Sequence, residues 1–166
     1  LCEKPDSVGM VGWDVALTRI ATWVKLQDKK TGQILMVVNT HFDHIGTEAR
    51  RNSALLIIEK IKEIVGTSPA ILTGDFNVSE DWDAYKTITN NEFILKDAHK
   101  VAGKRTGVDF TYHNFGKIPA EKCEKIDFIF VTPQIRVISS YIPFSQLNDT
   151  LFLSDHNPEI VELEIK

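Results

Sequence analysis

The chain has 166 residues, a formal net charge of −4, 43% hydrophobic and 25% charged residues, the profile of one ordinary globular domain. That balance argues against a broad basic face clamping a long duplex, because neutralising many phosphates needs clustered Lys and Arg. No apolar run reaches the roughly 20 residues of a membrane-spanning helix, and residues 1–10, LCEKPDSVGM, lack the charged-then-apolar signal pattern. The two cysteines, Cys2 and Cys123, form neither a zinc pattern nor a disulfide framework, which slightly favours a reducing compartment. The sequence assigns no localisation.

Residues 16–26, ALTRIATWVKL, alternate Ile20, Thr22, Val24 and Leu26 against Arg19, Ala21, Trp23 and Lys25. That period of two predicts a strand. QDKKTGQ is a polar turn, and ILMVVNT a second, continuously apolar strand, so the pair reads as a β-hairpin. From Thr47 to Val65 the period becomes helical, with Ala54, Ile57, Ile58, Ile61, Ile64 and Val65 on one face. Thr47 is the expected cap, Glu48 suits the first turn, and Gly66 and Pro69 end the helix. AILTG follows as a short buried strand. Strand, helix and strand over 34–74 make a βαβ-like unit.

SEDWDAYKTI predicts a short helix capped by Ser79. DFTYHNF, KIDFIFVTP, IRVISSYI and PEIVELEI predict strands. The last third thus supplies strands with little helix between them. The expectation is an α/β (α+β) chain built as a sheet-rich sandwich, one domain over 1–166, rather than a doubly wound sheet.

Polar groups gather where apolar runs stop. NTHFDH carries His41, Asp43 and His44. TGDFN carries Asp75 and Asn77. KIDFIF holds Asp127 inside an apolar strand, and LSDHNP carries Asp155 and His156. An acid within a strand is costly unless paired or bound. Asp127 is therefore expected to be buried and bonded to a partner, with His156 the candidate. Singly, each motif has a bland reading as a turn, a cap or a satisfied strand-end histidine. Asp43 and His44 are read as shaping the loop before the helix. A zinc site of the His-x-His-x-Asp-His kind is disfavoured, because Asn39 stands two before His41 and neither His99 nor His113 lies in a matching motif.

Together and in order, NTHFDH, GDFN, IDFIF and SDHNP resemble the endonuclease/exonuclease/phosphatase superfamily. The likeness runs from about Trp13 to the end of the chain. It implies a DNase I-like fold, a two-layer β-sandwich flanked by helices. It also implies hydrolysis of a phosphate ester by a phosphodiesterase, nuclease or phosphatase, with Mg²⁺ (or Mn²⁺) as cofactor. By matching motifs, Asp75 falls on the water-activating position and Asn77 on a phosphate-orienting one. Asp155 falls on a metal-ligand position, His156 on the catalytic histidine and Asp127 on the acid that orients it. His41 matches a second active-site histidine, and Arg19 a substrate-contacting arginine. Carboxylates and waters, rather than thiolates, suit a hard cation, and imidazoles suit the growing charge of a phosphoryl transition state.

The implied substrate is a phosphate ester on a small molecule or a short nucleic acid. A non-catalytic module that keeps the fold, and less so a zinc hydrolase, are the alternatives. Members also open with an Asn-bearing strand and a QE strand whose Glu binds metal. Residues 1–12, LCEKPDSVGMVG, contain neither. The chain is therefore expected to be the C-terminal part of such a domain, lacking its N-terminal strands, weakly active alone and open to self-association along unpaired edges.

Overall fold

The computed structural model describes residues 1–91, 93, 95–148 and 151–166. In chain order they form strands β1 (Ala21–Gln27) and β2 (Ile34–His41), helix α1 (Thr47–Val65), strand β3 (Ala70–Asp75) and helix α2 (Asp83–Thr89). Then come β4 (Lys96–Asp97), α3 (Ala98–Val101), β5 (Lys104–Gly107), β6 (Asp127–Val131), β7 (Ile135–Ile142), β8 (Gln146–Asn148), β9 (Leu151–Phe152) and β10 (Ile160–Ile165).

One sheet has the order β1-β2-β3-β6-β4, and a second has β10-β7-β5. The predicted hairpin is present, β1 running antiparallel to β2. The βαβ unit is present too, with β2 parallel to β3 across α1. Because side chains alternate along a strand, the larger sheet has two different faces. Met36, Val38, Leu72, Phe128 and Phe130 point to the helices, where they form one core with Ile57, Ile61, Tyr85 and Ile88. Leu35, Ile71 and Ile129 point to the second sheet and meet Val137, Val161, Leu163 and Ile165. The result is the expected sandwich of two sheets, with helices α1 and α2 on one outer face.

Local expectations fail at four places, each for a physical reason. The first strand begins at Ala21 rather than Ala16, because the backbone of Ala16 and Leu17 turns inward to donate to Asp43. Helix α1 has Gly46, not Thr47, at its N-cap, and no local side chain caps it. Instead Asp14 reaches across to accept from the N–H groups of Glu48 (3.1 Å) and Ala49 (2.7 Å). Helix α2 starts after Trp82, so Ser79 lies outside it and only its carbonyl is used, by the Trp82 N–H. DFTYHNF makes no strand: Tyr112 forms isolated bridges to Glu124 and His156. Just beyond, Asn114 (φ 49°), Phe115 (φ 53°) and Gly116 (φ 72°) turn left-handed, which ends any extended run.

Candidate active site

Strands β2, β3 and β6 end at the same edge of the sandwich. His41 is the register partner of Asp75 across the parallel pair. Asp75 is the partner of Asp127 across the antiparallel pair. The three stand side by side on the face that, further along, carries Leu35, Ile71 and Ile129. A single row therefore changes from apolar core to charged site within one sheet. His41 Nε2 lies 3.3 Å from Asp75 Oδ2. Gly74 makes the row possible, because a Cβ there would collide with the Thr40 carbonyl of the neighbouring strand.

The loop that enters β10 closes the site from the second sheet. His156 Nδ1 donates to Asp127 Oδ2 at 2.7 Å, the expected pairing. Both side chains are about one-quarter exposed, so Asp127 is less buried than its apolar neighbours suggest. The bond fixes the Nδ1–H tautomer and aims the other ring nitrogen away from the carboxylate. Thr111, which the sequence does not single out, holds the two halves together. Its hydroxyl accepts from the N–H groups of Ile126 (3.0 Å) and Asp127 (3.1 Å), and its carbonyl accepts from the Asn157 N–H at 2.7 Å. The His156 ring packs on Tyr112, with centroids 5.0 Å apart. An open crevice of about 730 Å³ runs over this row and includes Asn39, Leu153 and Glu159 in its walls.

The remaining candidates fall around this centre. Asn77 sits in a left-handed turn (φ 50°). Its backbone N–H donates to Asp75 Oδ1 (2.9 Å) and its side-chain amide to the Phe42 carbonyl (3.0 Å). It therefore braces Asp75 directly. Arg19 precedes β1 and lines a hollow beside His41, with Nη2 3.4 Å from His44 Nδ1. Asp155 contacts Ser154 Oγ at 3.4 Å, and its carbonyl accepts from the His113 N–H. The structure does not bring its carboxylate into the central cluster.

Asp43 has the structural role expected of it. Only 2% exposed, it accepts from Ala16, Leu17, Ile45 and Gly46 N–H groups at 2.7–3.0 Å. Arg50, buried in α1, donates to the Asp43 carbonyl. With both oxygens of Asp43 occupied by backbone, the zinc-like likeness of 41–44 has no geometric basis.

The charges interact across the row. Burial, and next the Asp127 carboxylate, push the Asp75 carboxyl above its ordinary range. The hydrogen bond to Asp127 raises His156, against the effect of burial. His41 is lowered, first by burial and also by Arg19, with Asp75 opposing. Two carboxylates and an imidazole, Asp75, Asp127 and His156, offer ligand atoms within 4.8 Å of one another. This crowding of negative charge is what a bound divalent cation relieves. Among the described residues, these three side chains are the ones that could hold such a cation.

The chain matches the model of the Endonuclease/Exonuclease/phosphatase family over residues 4–156. A Bacteroides vulgatus protein described as endonuclease/exonuclease/phosphatase is 63% identical, with a TM-score of 0.95 over 99% of this chain and 62% of its own. A mannosyl-6-phosphatase from Bacteroides thetaiotaomicron is 34% identical, with a TM-score of 0.83 over 93% of this chain and 60% of its own. Protein L388 of Acanthamoeba polyphaga mimivirus is 30% identical over 98% of this chain and 62% of its own length. The chain thus spans about three-fifths of the relatives it matches.

Proposed function

The chain belongs to the endonuclease/exonuclease/phosphatase family, and from that premise we propose that it carries most of the site of a metal-dependent phosphate-ester hydrolase. The observation that carries this reading is the row His41–Asp75–Asp127, in register across three strands and closed by His156. Asp75, braced by Asn77, takes the proton of the attacking water. Burial, and next the Asp127 carboxylate, raise the Asp75 carboxyl, which strengthens it as a base.

His156, protonated and steadied by Asp127, and His41 at the open side stabilise the charge that grows on the phosphoryl oxygens. Arg19 neutralises the substrate's existing charge. Mg²⁺, or Mn²⁺ in its place, when held by the carboxylates of Asp75 and Asp127, would polarise the phosphate.

The substrate we favour is a phosphate ester on a small molecule, such as a sugar phosphate. Two facts support it over long nucleic acid: the net charge of −4, and the likeness to a mannosyl-6-phosphatase. The chain covers about 62% of these relatives' length, and we read it as part of such a domain. The test is a panel of sugar phosphates, phosphodiesters and short oligonucleotides incubated with the protein and Mg²⁺. Turnover that vanishes on Asp75→Ala supports the proposal. Tight binding of an ester without cleavage, by folded protein extended to the length of the relatives, would replace it with a non-catalytic module.

A further inference from the structure

Behind the catalytic row lies a second, buried polar cluster. Lys125 Nζ is 2.9 Å from Glu159 Oε2, and the two side chains are 6% and 2% exposed. The ammonium also donates to the Asp127 carbonyl at 3.0 Å and sits 3.9 Å over the Phe128 ring. Asp97 Oδ1 stands 3.9 Å away, its other oxygen taken by the Tyr85 hydroxyl. Glu159 Oε1 accepts from Ser140 Oγ at 3.3 Å, and that hydroxyl meets His99 Nδ1 at 2.8 Å. Burial raises the Glu159 carboxyl, and Lys125 opposes it.

The placement is specific. Lys125 lies two residues before Asp127, and Glu159 three after His156. The Asp127 segment belongs to the five-stranded sheet, and the segment after His156 enters the other. The ion pair therefore ties together the two segments whose side chains make the 2.7 Å hydrogen bond. A buried pair is a poor source of stability, because desolvating both charges offsets their attraction. Packed apolar residues would fill the same space at lower cost.

We infer that the buried Lys125–Glu159 pair is a positioning device that holds the Asp127 strand end against the His156 loop. Glu159 borders the crevice, but its side chain is 2% exposed and that of Lys125 6%, so the pair's charges face each other rather than the substrate. The pair acts through the spacing of Asp127 and His156, and so on the orientation of the imidazole. Only its kinetic consequence rests on the proposed hydrolase reading.

The test compares Lys125→Met, in which the carboxylate loses its partner, with the double variant Lys125→Met/Glu159→Leu, in which the pair becomes apolar. Proton NMR follows the His156 Nδ1–H, shifted downfield and protected from exchange by Asp127. Thermal melts and amide spectra follow the fold. The inference expects the double variant to stay folded while this resonance broadens or exchanges about tenfold faster. It expects kcat to fall at least about tenfold with KM changed by less than about twofold, since small misplacements of a catalytic group act on turnover.

A double variant with the wild-type resonance and kcat would reduce the pair to core filling and overturn the inference. Collapse of the fold in both variants would also overturn it, because the pair would then hold the whole sandwich rather than this one contact. Loss of the resonance in a protein that cleaves no ester would sustain the positioning role while sinking the hydrolase reading, so the two failures are distinguishable.

Discussion

Asp75 and Asp127 face one another as a register pair across strands β3 and β6. Two carboxylates so placed each disfavour the other's charge. Asp75 carries the result, raised by burial and then by Asp127, while Asp127 directs its charge to His156. The proposed base must be ionised, so activity should rise as pH climbs through the raised Asp75 value. The proposed acid must be protonated, so activity should fall as pH passes the raised His156 value. Asp127→Asn removes both influences. It should shift the acid and alkaline limbs of the kcat/KM profile to lower pH, with a lower maximum. Unmoved limbs in folded protein would refute the coupling.

The row itself makes a second prediction. In the active enzyme, Asp75→Ala, His41→Ala and His156→Ala should each lower kcat/KM by about a hundredfold or more, the usual contribution of a positioned acid or base. All three side chains border the crevice rather than fill the core, so melting temperatures should change little. Near-normal turnover by correctly folded Asp75→Ala protein would eliminate the mechanism.

Asp43 should matter for stability rather than for bond making. Burial alone would raise its carboxyl, but four backbone N–H bonds outweigh that and hold it at about 2. A depressed value contributes stability that is present above the ordinary carboxylate range near 3.8 and is lost as pH falls toward 2. Asp43→Ala leaves four N–H groups without their acceptor. Denaturant unfolding at neutral pH should show a loss of about 3 kcal/mol. The gap should narrow in acid, as the wild-type carboxylate is protonated.

The candidate site positions stand out in the sequence because they break a pattern. An acid inside KIDFIF, or GDFN at the end of an apolar run, contradicts the burial around it, and such contradictions gather at sites. Strands β2, β3, β6, β7 and β10 and helix α1 are legible for the opposite reason, since their apolar patterns are undisturbed. What the sequence hides is everything set by long-range approach. Asp14 caps a helix that starts 33 residues later. Thr111 is an unremarkable residue in an apparent strand until its hydroxyl meets the Ile126 and Asp127 N–H groups. The register that aligns His41 with Asp75 and Asp127 is a property of the sheet, not of any segment.

Strand β1 forms an edge of the larger sheet, and Trp23, Val24 and Leu26 on it are about half exposed. An edge with large apolar side chains and unpaired backbone groups invites another strand. The 166-residue chain should therefore self-associate as its concentration rises, read by sedimentation velocity. Val24→Lys should suppress this without lowering the melting temperature by more than a few degrees. A chain that stays monomeric at high concentration would refute the edge-pairing proposal.

The last prediction concerns the cation. Within the central cluster, Asp75 Oδ1 is held by the Asn77 N–H and Asp127 Oδ2 by His156. Asp155 stands apart. Few carboxylate oxygens are thus free, and Mg²⁺ releases its waters only to several well-placed oxygens. We propose that the 166-residue chain by itself binds Mg²⁺ weakly, with a Kd of about a millimolar or higher, and turns over phosphate esters slowly. A polypeptide extended to the length of the relatives, of which this chain spans about 62%, should bind at least about tenfold more tightly, or about 1.4 kcal/mol. Isothermal titration with Mg²⁺ measures the first effect and a phosphate-release assay the second. If the 166-residue chain hydrolyses an ester at an ordinary enzymatic rate, and loses that rate on Asp75→Ala, then the ligands it already holds suffice and the proposal fails.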